Sequence, residues 1–257
     1  MNKDIKISVI TAVYNGAAFI EDSIKSIISQ KNDQIEYIII DGGSKDNTME
    51  IVKRYADEID YFISEPDKGI YDAWNKGIKQ AKGDWVMFVG CDDFLVPNAL
   101  EEYLKFIKEV NSEVEYISFR RQMIDKDDRK IRLIGWKWEW PLFLKYMTVA
   151  HSASLHSKRL FEKYGGFDIN YKIVGDYELL LRARGDLKAV FIDFVSIVMR
   201  EGGASDSTKA IKEQYKAVIT TGGGNKLAAL TNFYYIHAKR FAKNFSRKFG
   251  LNLYIKK

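Results

Sequence analysis

Three apolar, strand-type runs each stop at polar residues able to hold a ligand: Ile7 to Asn15, Tyr37 to Thr48, and Trp85 to Asp93. Open parallel sheets bind ligands at such carboxyl ends. Asp41, after Ile38-Ile39-Ile40, can accept a ring N–H such as that of uracil, with Thr11 or Tyr14 on the neighbouring strand holding the base. It can equally start a turn with Gly42-Gly43. Asp92-Asp93 offers oxygen ligands to a hard divalent cation that keeps sites for a substrate diphosphate. On an extended backbone the pair points to opposite sides, so one ligand suffices. The same two acids can also serve as cap and first-turn acid of a helix opened by Pro97. Asp176 opens an amphipathic helix whose Leu179, Leu180 and Leu181 turn inward, and capping is its simpler role.

Other polar or aromatic positions carry weaker signals. His151 and His156 form no zinc spacing with Cys or with each other, and Cys91 reads as a small packed residue. Arg200 precedes Gly202-Gly203-Ala204-Ser205, a turn that could offer N–H groups and a guanidinium to phosphate. Gly222-Gly223-Gly224 lacks the order of a phosphate-binding loop and reads as a hinge. Trp136, Trp138 and Trp140 alternate, so on one strand they would share a face, for sugar, membrane interface or core. From Lys239 to Lys257 the chain is basic, with Phe241, Phe245 and Phe249 four apart. That pattern suits an amphipathic helix on anionic lipid, or a solvated terminal helix.

The elements that must position these groups alternate. Ile20, Ile24, Ile27 and Ile28 make one helical face; Ile51, Val52, Tyr55 and Ile59 a second, capped by Asp46, Asn47 or Thr48. Ala73, Trp74, Gly77, Ile78 and Ala81 make a third, and Leu100, Tyr103, Leu104 and Ile107 a fourth after Pro97. Strands are expected at 61–64 and 114–119, and helices at 176–184, 209–220 and 226–249. This β-α alternation predicts an α/β fold with a mostly parallel sheet covered on both faces. The expected organisation is a ligand-binding half over 1–120, a second half of the same domain over 121–205, and a helical, basic tail over 206–257.

Composition sets the bounds. With 257 residues, 46% hydrophobic and 29% charged, the chain can bury a real core. A net charge of +5 suits anionic ligands such as sugar nucleotides, or a lipid surface, and does not argue for nucleic acid. One cysteine excludes an internal disulfide framework and fits the reducing cytoplasm. The start lacks a signal-peptide pattern, and the longest apolar run, Ala189 to Met199, is interrupted by Asp193 and too short to span a bilayer.

Taken in order, Ile7 to Asn15, Asp41 to Thr48, Ser64-Glu-Pro-Asp-Lys-Gly-Ile-Tyr-Asp-Ala-Trp-Asn-Lys-Gly77, Gly83 to Leu95, Gly165-Gly166-Phe167-Asp168 and Asp176 to Arg182 resemble the family 2 glycosyltransferases. These are inverting nucleotide-sugar transferases with a GT-A fold: a Rossmann-like sheet, an acceptor-binding half and, here, C-terminal helices. The resemblance implies that Thr11, Tyr14 and Asp41 hold the base, usually uracil. It further implies that Asp92, last of the family's Asp-x-Asp, meets Mn²⁺ or Mg²⁺ with Asp93 beside it, and that Asp176 is the catalytic base. Lys68, Asp72 and Arg200 become contacts to the donor or its diphosphate. A saccharide or lipid-linked oligosaccharide of surface-glycan synthesis is the implied acceptor. Three departures stand out: Gly90 replaces the first Asp of Asp-x-Asp, Gly175 the acid that often precedes the base, and Trp74 an Arg found in many relatives. The Gln-x-x-Arg-Trp motif of processive synthases is absent, which points to addition of one sugar. A sugar-phosphate nucleotidyltransferase, a glycoside hydrolase and an inactive sugar-nucleotide-binding protein are the competing classes.

Overall fold

Seven-residue strands dominated by apolar side chains on both faces are buried on both, and helices must supply the cover. A computed structural model describes residues 4, 6–202 and 207–248, without the side chains of 243, 244 and 246–248. In it β1 (Ile7–Val13) and β2 (Ile35–Asp41) are buried at every position. Between them α1 (Ile20–Ile28) turns Ile20, Ile24 and Ile27 inward, as their spacing requires. The chain continues through α2 (Thr48–Lys53), β3 (Tyr61–Ser64), α3 (Ile70–Gln80), β4 (Trp85–Gly90), β5 (Phe94–Leu95) and α4 (Ala99–Glu109). The second half holds β6 (Tyr116–Ile124), β7 (Lys130–Ile134), the short α5 (Trp140–Phe143), β8 (Ser154–Ser157), α6 (Lys158–Tyr164), α7 (Gly175–Ala183) and β9 (Ala189–Arg200). Helices α8 (Thr208–Thr220) and α9 (Lys226–Lys248) complete it.

All strands join one sheet of order β3-β2-β1-β4-β8-β6-β9-β5, with β7 paired to β6. The β3-β2-β1-β4 portion is parallel, β8 is antiparallel to both its neighbours, and β6 and β9 run parallel to each other. The sheet is therefore mostly parallel on the donor side, as expected, and mixed beyond β4. Side chains of α1, α2 and α4 close one core on one face of the sheet. Those of α3, α6, α7 and α8 close a second core on the other.

The register brings three strand ends level. Val13 pairs with Asp41 and Ala12 with Gly90, so β2 and β4 end on either side of β1. β1 is flanked by strands whose connections leave in opposite directions, the switch point at which open sheets of this kind take ligands. Buried Glu36 on β2 staples this region from beneath: its carboxylate accepts from Ser8 Oγ, Lys82 N and Gly83 N.

Two expectations change. Trp136, Trp138 and Trp140 do not share a strand face: β7 ends at Ile134, Gly135 takes φ +117°, and Trp140 begins α5. Trp136 lies under the Arg120 guanidinium at 4.5 Å, whereas Trp138 packs on Phe143 at 4.2 Å. The apolar run at 189–199 is a strand of the sheet, and among the described residues no helix is long and apolar enough to cross a membrane. The turn at 203–205, Phe249 and the rest of the tail to Lys257 lie outside the described residues.

Candidate active site

The loops after β1 and β2 are laced together by short polar side chains. Asn15 N donates to Ser44 Oγ at 2.7 Å, and Asn15 Oδ1 accepts from Lys45 N at 2.8 Å. Gly16 N donates to Thr48 Oγ1 at 2.9 Å and Ala17 N to Asp46 Oδ2 at 3.1 Å. Asp46 also accepts from Thr48 N at 3.1 Å in a turn that leads into α2, while Asn47, at the cap position itself, makes no side-chain capping bond. Asn15 adopts a left-handed φ of +50°, which Asn tolerates better than most residues. This lacing holds Tyr14 out at the rim, exposed.

Asp41 forms the floor of the turn. Its Oδ2 accepts from Gly43 N at 3.1 Å, Ser44 N at 3.0 Å and Ser64 Oγ at 2.5 Å, and its Oδ1 from the Ser44 hydroxyl. The turn-forming role is thus real, and a ring N–H would have to share an oxygen with these donors. Asp41 and Thr11 are both completely buried, but they differ in direction: the Thr11 hydroxyl accepts from Tyr37 Oη at 3.2 Å inside the core, so its side chain is not presented to a base. Strand alternation groups it with Val9 and Val13 above α1, while Ala12 belongs to the opposite core.

At the end of β4 the two acids differ sharply. Asp92 is half-buried, whereas Asp93 is only 3% exposed and its Oδ1 has no hydrogen-bond partner. Burial, reinforced by the neighbouring Asp92 charge, pushes Asp93 up to about 7; the Arg121 guanidinium opposes this. Gly90 has a steric reason to replace an aspartate. A Cβ there would lie 2.9 Å from Asp92 Oδ1 and 3.1 Å from Asp93 Oδ2.

Asp176 sits in the first turn of α7, one residue from the expected helix start. The Tyr71 hydroxyl lies 3.1 Å from its Oδ1 and 2.7 Å from Ile173 O. Loss of water raises the pKa of Asp176; the Tyr177 N–H, the Tyr71 hydroxyl and Arg121 pull the other way. Gly175 is again a matter of space, because a Cβ would sit 2.8–3.0 Å from the Tyr71 ring. Arg121, on β6, is the cation whose charge both Asp93 and Asp176 feel, and its buried Nε lacks a partner. Asp176 and Asp93 therefore share one guanidinium, and Asp92 joins them only through its neighbour Asp93.

The segment from 65 to 72 links Asp176 to the turn after β2. Asp67 lies so close to Gly42 that a Cβ there would touch its Oδ2, and Pro66 backs Gly43. Asp72 Oδ2 accepts from Lys68 N at 3.0 Å, and Lys172 Nζ reaches Lys68 O at 2.8 Å, so Lys68 and Asp72 stand at the entrance to α3. Arg200 does not join them: it pairs with Asp128 and lies 5.9 Å from the rings of Phe19 and Phe94. Trp74 is core, stacked on His151 at 5.0 Å. Burial holds His151 down at about 3, so it is a neutral part of that aromatic wall.

Tyr71 and Arg121 are absent from the sequence-based set. Arg121 carries little signal: the strand expected at 114–119 stops short of it, it follows Arg120 in the polar run Arg120-Arg121-Gln122, and register shifts near it in β6 obscure which way it faces. Among the described residues no cluster of three or more His, Cys, Asp or Glu could hold a metal unaided. Asp92 with the unpartnered Asp93 oxygen fits a hard divalent cation that completes its shell with substrate oxygens.

The sequence profile described as "Glycosyl transferase family 2" matches residues 8–160. An uncharacterized glycosyltransferase of Rickettsia typhi is 29% identical over 222 residues, 82% of this chain and 70% of its own length. TarS of S. aureus in complex with UDP-GlcNAc is similar with a TM-score of 0.66 and 18% identity, over 98% of this chain and 76% of its own. The mannosyltransferase PcManGT of Pyrobaculum calidifontis, in complex with GDP-Man and Mn²⁺, gives 0.64 and 18%, over 89% and 69%. The fold is that of the GT-A glycosyltransferases.

Proposed function

The chain belongs to glycosyltransferase family 2, and on that premise we propose that it moves one sugar from a UDP-sugar, with inversion, to a saccharide or lipid-linked acceptor of surface-glycan synthesis. The observation that carries this reading is that buried Asp93, beside Asp92 at the end of β4, and buried Asp176 on α7 both lie in the field of the Arg121 guanidinium. A binding protein has no need of a desolvated acid opposite a second carboxylate pair.

Tyr14 and Asp41 take the base, and Lys68 and Asp72 lie beside the path of the diphosphate. Asp92 and Asp93 would hold Mg²⁺ or Mn²⁺, which supplies charge neutralisation for the leaving diphosphate. Asp176 accepts the acceptor hydroxyl proton as that oxygen attacks the anomeric carbon; the bond from that carbon to the diphosphate breaks on the opposite face. A desolvated carboxylate is a stronger base than an exposed one, and Tyr71 aims it. Arg121 keeps positive charge between the two sets of acids. UDP-GlcNAc on TarS and GDP-Man with Mn²⁺ on PcManGT support a nucleotide-sugar donor and a metal. So does the family of the PGL/p-HBAD biosynthesis glycosyltransferase of Mycobacterium bovis, 26% identical over 220 residues, for a glycan product.

The test is a panel of nucleotide sugars with and without Mn²⁺, read first as thermal stabilisation and then as UDP release. Release of UDP that requires an acceptor supports transfer. Stabilisation without any release, across a broad acceptor panel, would leave a binding protein instead.

A further inference from the structure

We propose that the outer face of α9 docks on an anionic phospholipid surface. This goes beyond the transfer reaction and does not depend on it. The inner face of α9 is spoken for: Ala229 is buried, Phe233 packs on Tyr215 at 5.4 Å, and Asn232 Nδ2 donates to Lys145 O. The opposite side holds Leu227, Leu230, Tyr234, Phe241 and Phe245, which at 3.6 residues per turn fall within a stripe of about 60°. Of these, Leu227 is 70%, Tyr234 63%, Phe241 73% and Phe245 56% exposed. Phe241 and Phe245 stack on each other, with ring centroids 6.3 Å apart. So many large apolar groups in one exposed line mark an interaction surface.

Charge selects the occupant. After Glu213 the sequence has no acid, while Lys216, Lys226, Lys239, Arg240, Lys243, Arg247, Lys248, Lys256 and Lys257 make nine cations, more than the net +5 of the whole chain. A second copy of this helix would bring like charge against like charge. An anionic bilayer accepts the apolar stripe and attracts the positive charge of this part of the chain, a cation adding about 1 kcal/mol only where it reaches the surface. Because α9 packs on α8, and α8 on α7, the docked face belongs to the helical layer that carries Asp176.

The experiment is co-sedimentation of the full chain with vesicles of phosphatidylcholine alone or mixed with phosphatidylglycerol. Binding is expected only to the mixed vesicles, to weaken with added salt, and to fall at least about tenfold in the Phe241→Ser/Phe245→Ser variant. Both positions are exposed, so the variant should melt and bind UDP like the parent, which separates docking from folding and from donor binding. Equal binding to neutral vesicles, or no loss in the variant, overturns the proposal. So does a stripe-dependent dimer, or retention on single-stranded RNA, in a chain that ignores vesicles.

Discussion

Substituting Asp93 by Asn should make the metal-free protein more stable at neutral and alkaline pH. Asp93 is buried, has one unpartnered oxygen, and holds its proton to about pH 7 rather than 3.8. The folded state thus binds a proton that the unfolded chain has already released. Stability must fall as pH rises between those two values, by about 1.4 kcal/mol per pH unit. From pH 5 to pH 8 the folded pKa is crossed near 7, so this group costs the wild type about 2–3 kcal/mol. Asp93→Asn keeps the shape and removes the titration. The assay is urea unfolding in chelator at pH 5 and pH 8, read as the difference between parent and variant. That difference cancels His151 and His156, whose buried neutral rings act in the opposite direction: their stabilisation is lost as pH falls below the unfolded histidine value. The gap between variant and parent should widen by about 2–3 kcal/mol over this range, and Mn²⁺ with UDP should close it. An unchanged gap would refute the buried, uncompensated acid at the end of β4.

Asp176→Asn should lower turnover by ~10²–10⁴-fold and leave UDP affinity intact, measured by UDP release and by titration. Tyr71→Phe removes a donor that favours the charged form of Asp176. The acid limb of its pH–rate profile should move upward, with a loss of roughly tenfold near neutral pH; an unmoved limb would show that Tyr71 serves Ile173 alone. Glu36→Ala leaves the buried Ser8 hydroxyl without its acceptor and Lys82 N without its carboxylate, while Gly83 N keeps Ser8 Oγ, and should cost about 1–3 kcal/mol in urea unfolding while donor binding persists.

The βαβ portion was legible because its code is local. Continuous apolar runs, 3.6-residue periods and polar strand ends need no knowledge of distant partners. Asp41, Asp92, Asp93 and Asp176 stand out for the same reason, each following a strand or opening a helix. Which face of β1 opens to a ligand was not legible: both faces of that strand are apolar, so Thr11 looked available when it is sealed beneath α1. The order of β4, β8, β6 and β9 arises from long-range pairing, and shifts in β6 hide the direction of Arg121. The tryptophans misled because alternation implies a shared face only while a strand lasts, and β7 stops before Trp136.

The contact between the Tyr71 ring and Gly175 carries a lesson for anyone redesigning this site. With the tyrosine in place, a side chain ahead of Asp176 fits only if the ring gives way, and an acid there needs the ring moved. Exchanging one arrangement for the other therefore calls for coordinated replacements at two positions far apart in the chain. Libraries that randomise one of these positions alone should return almost nothing but the parent.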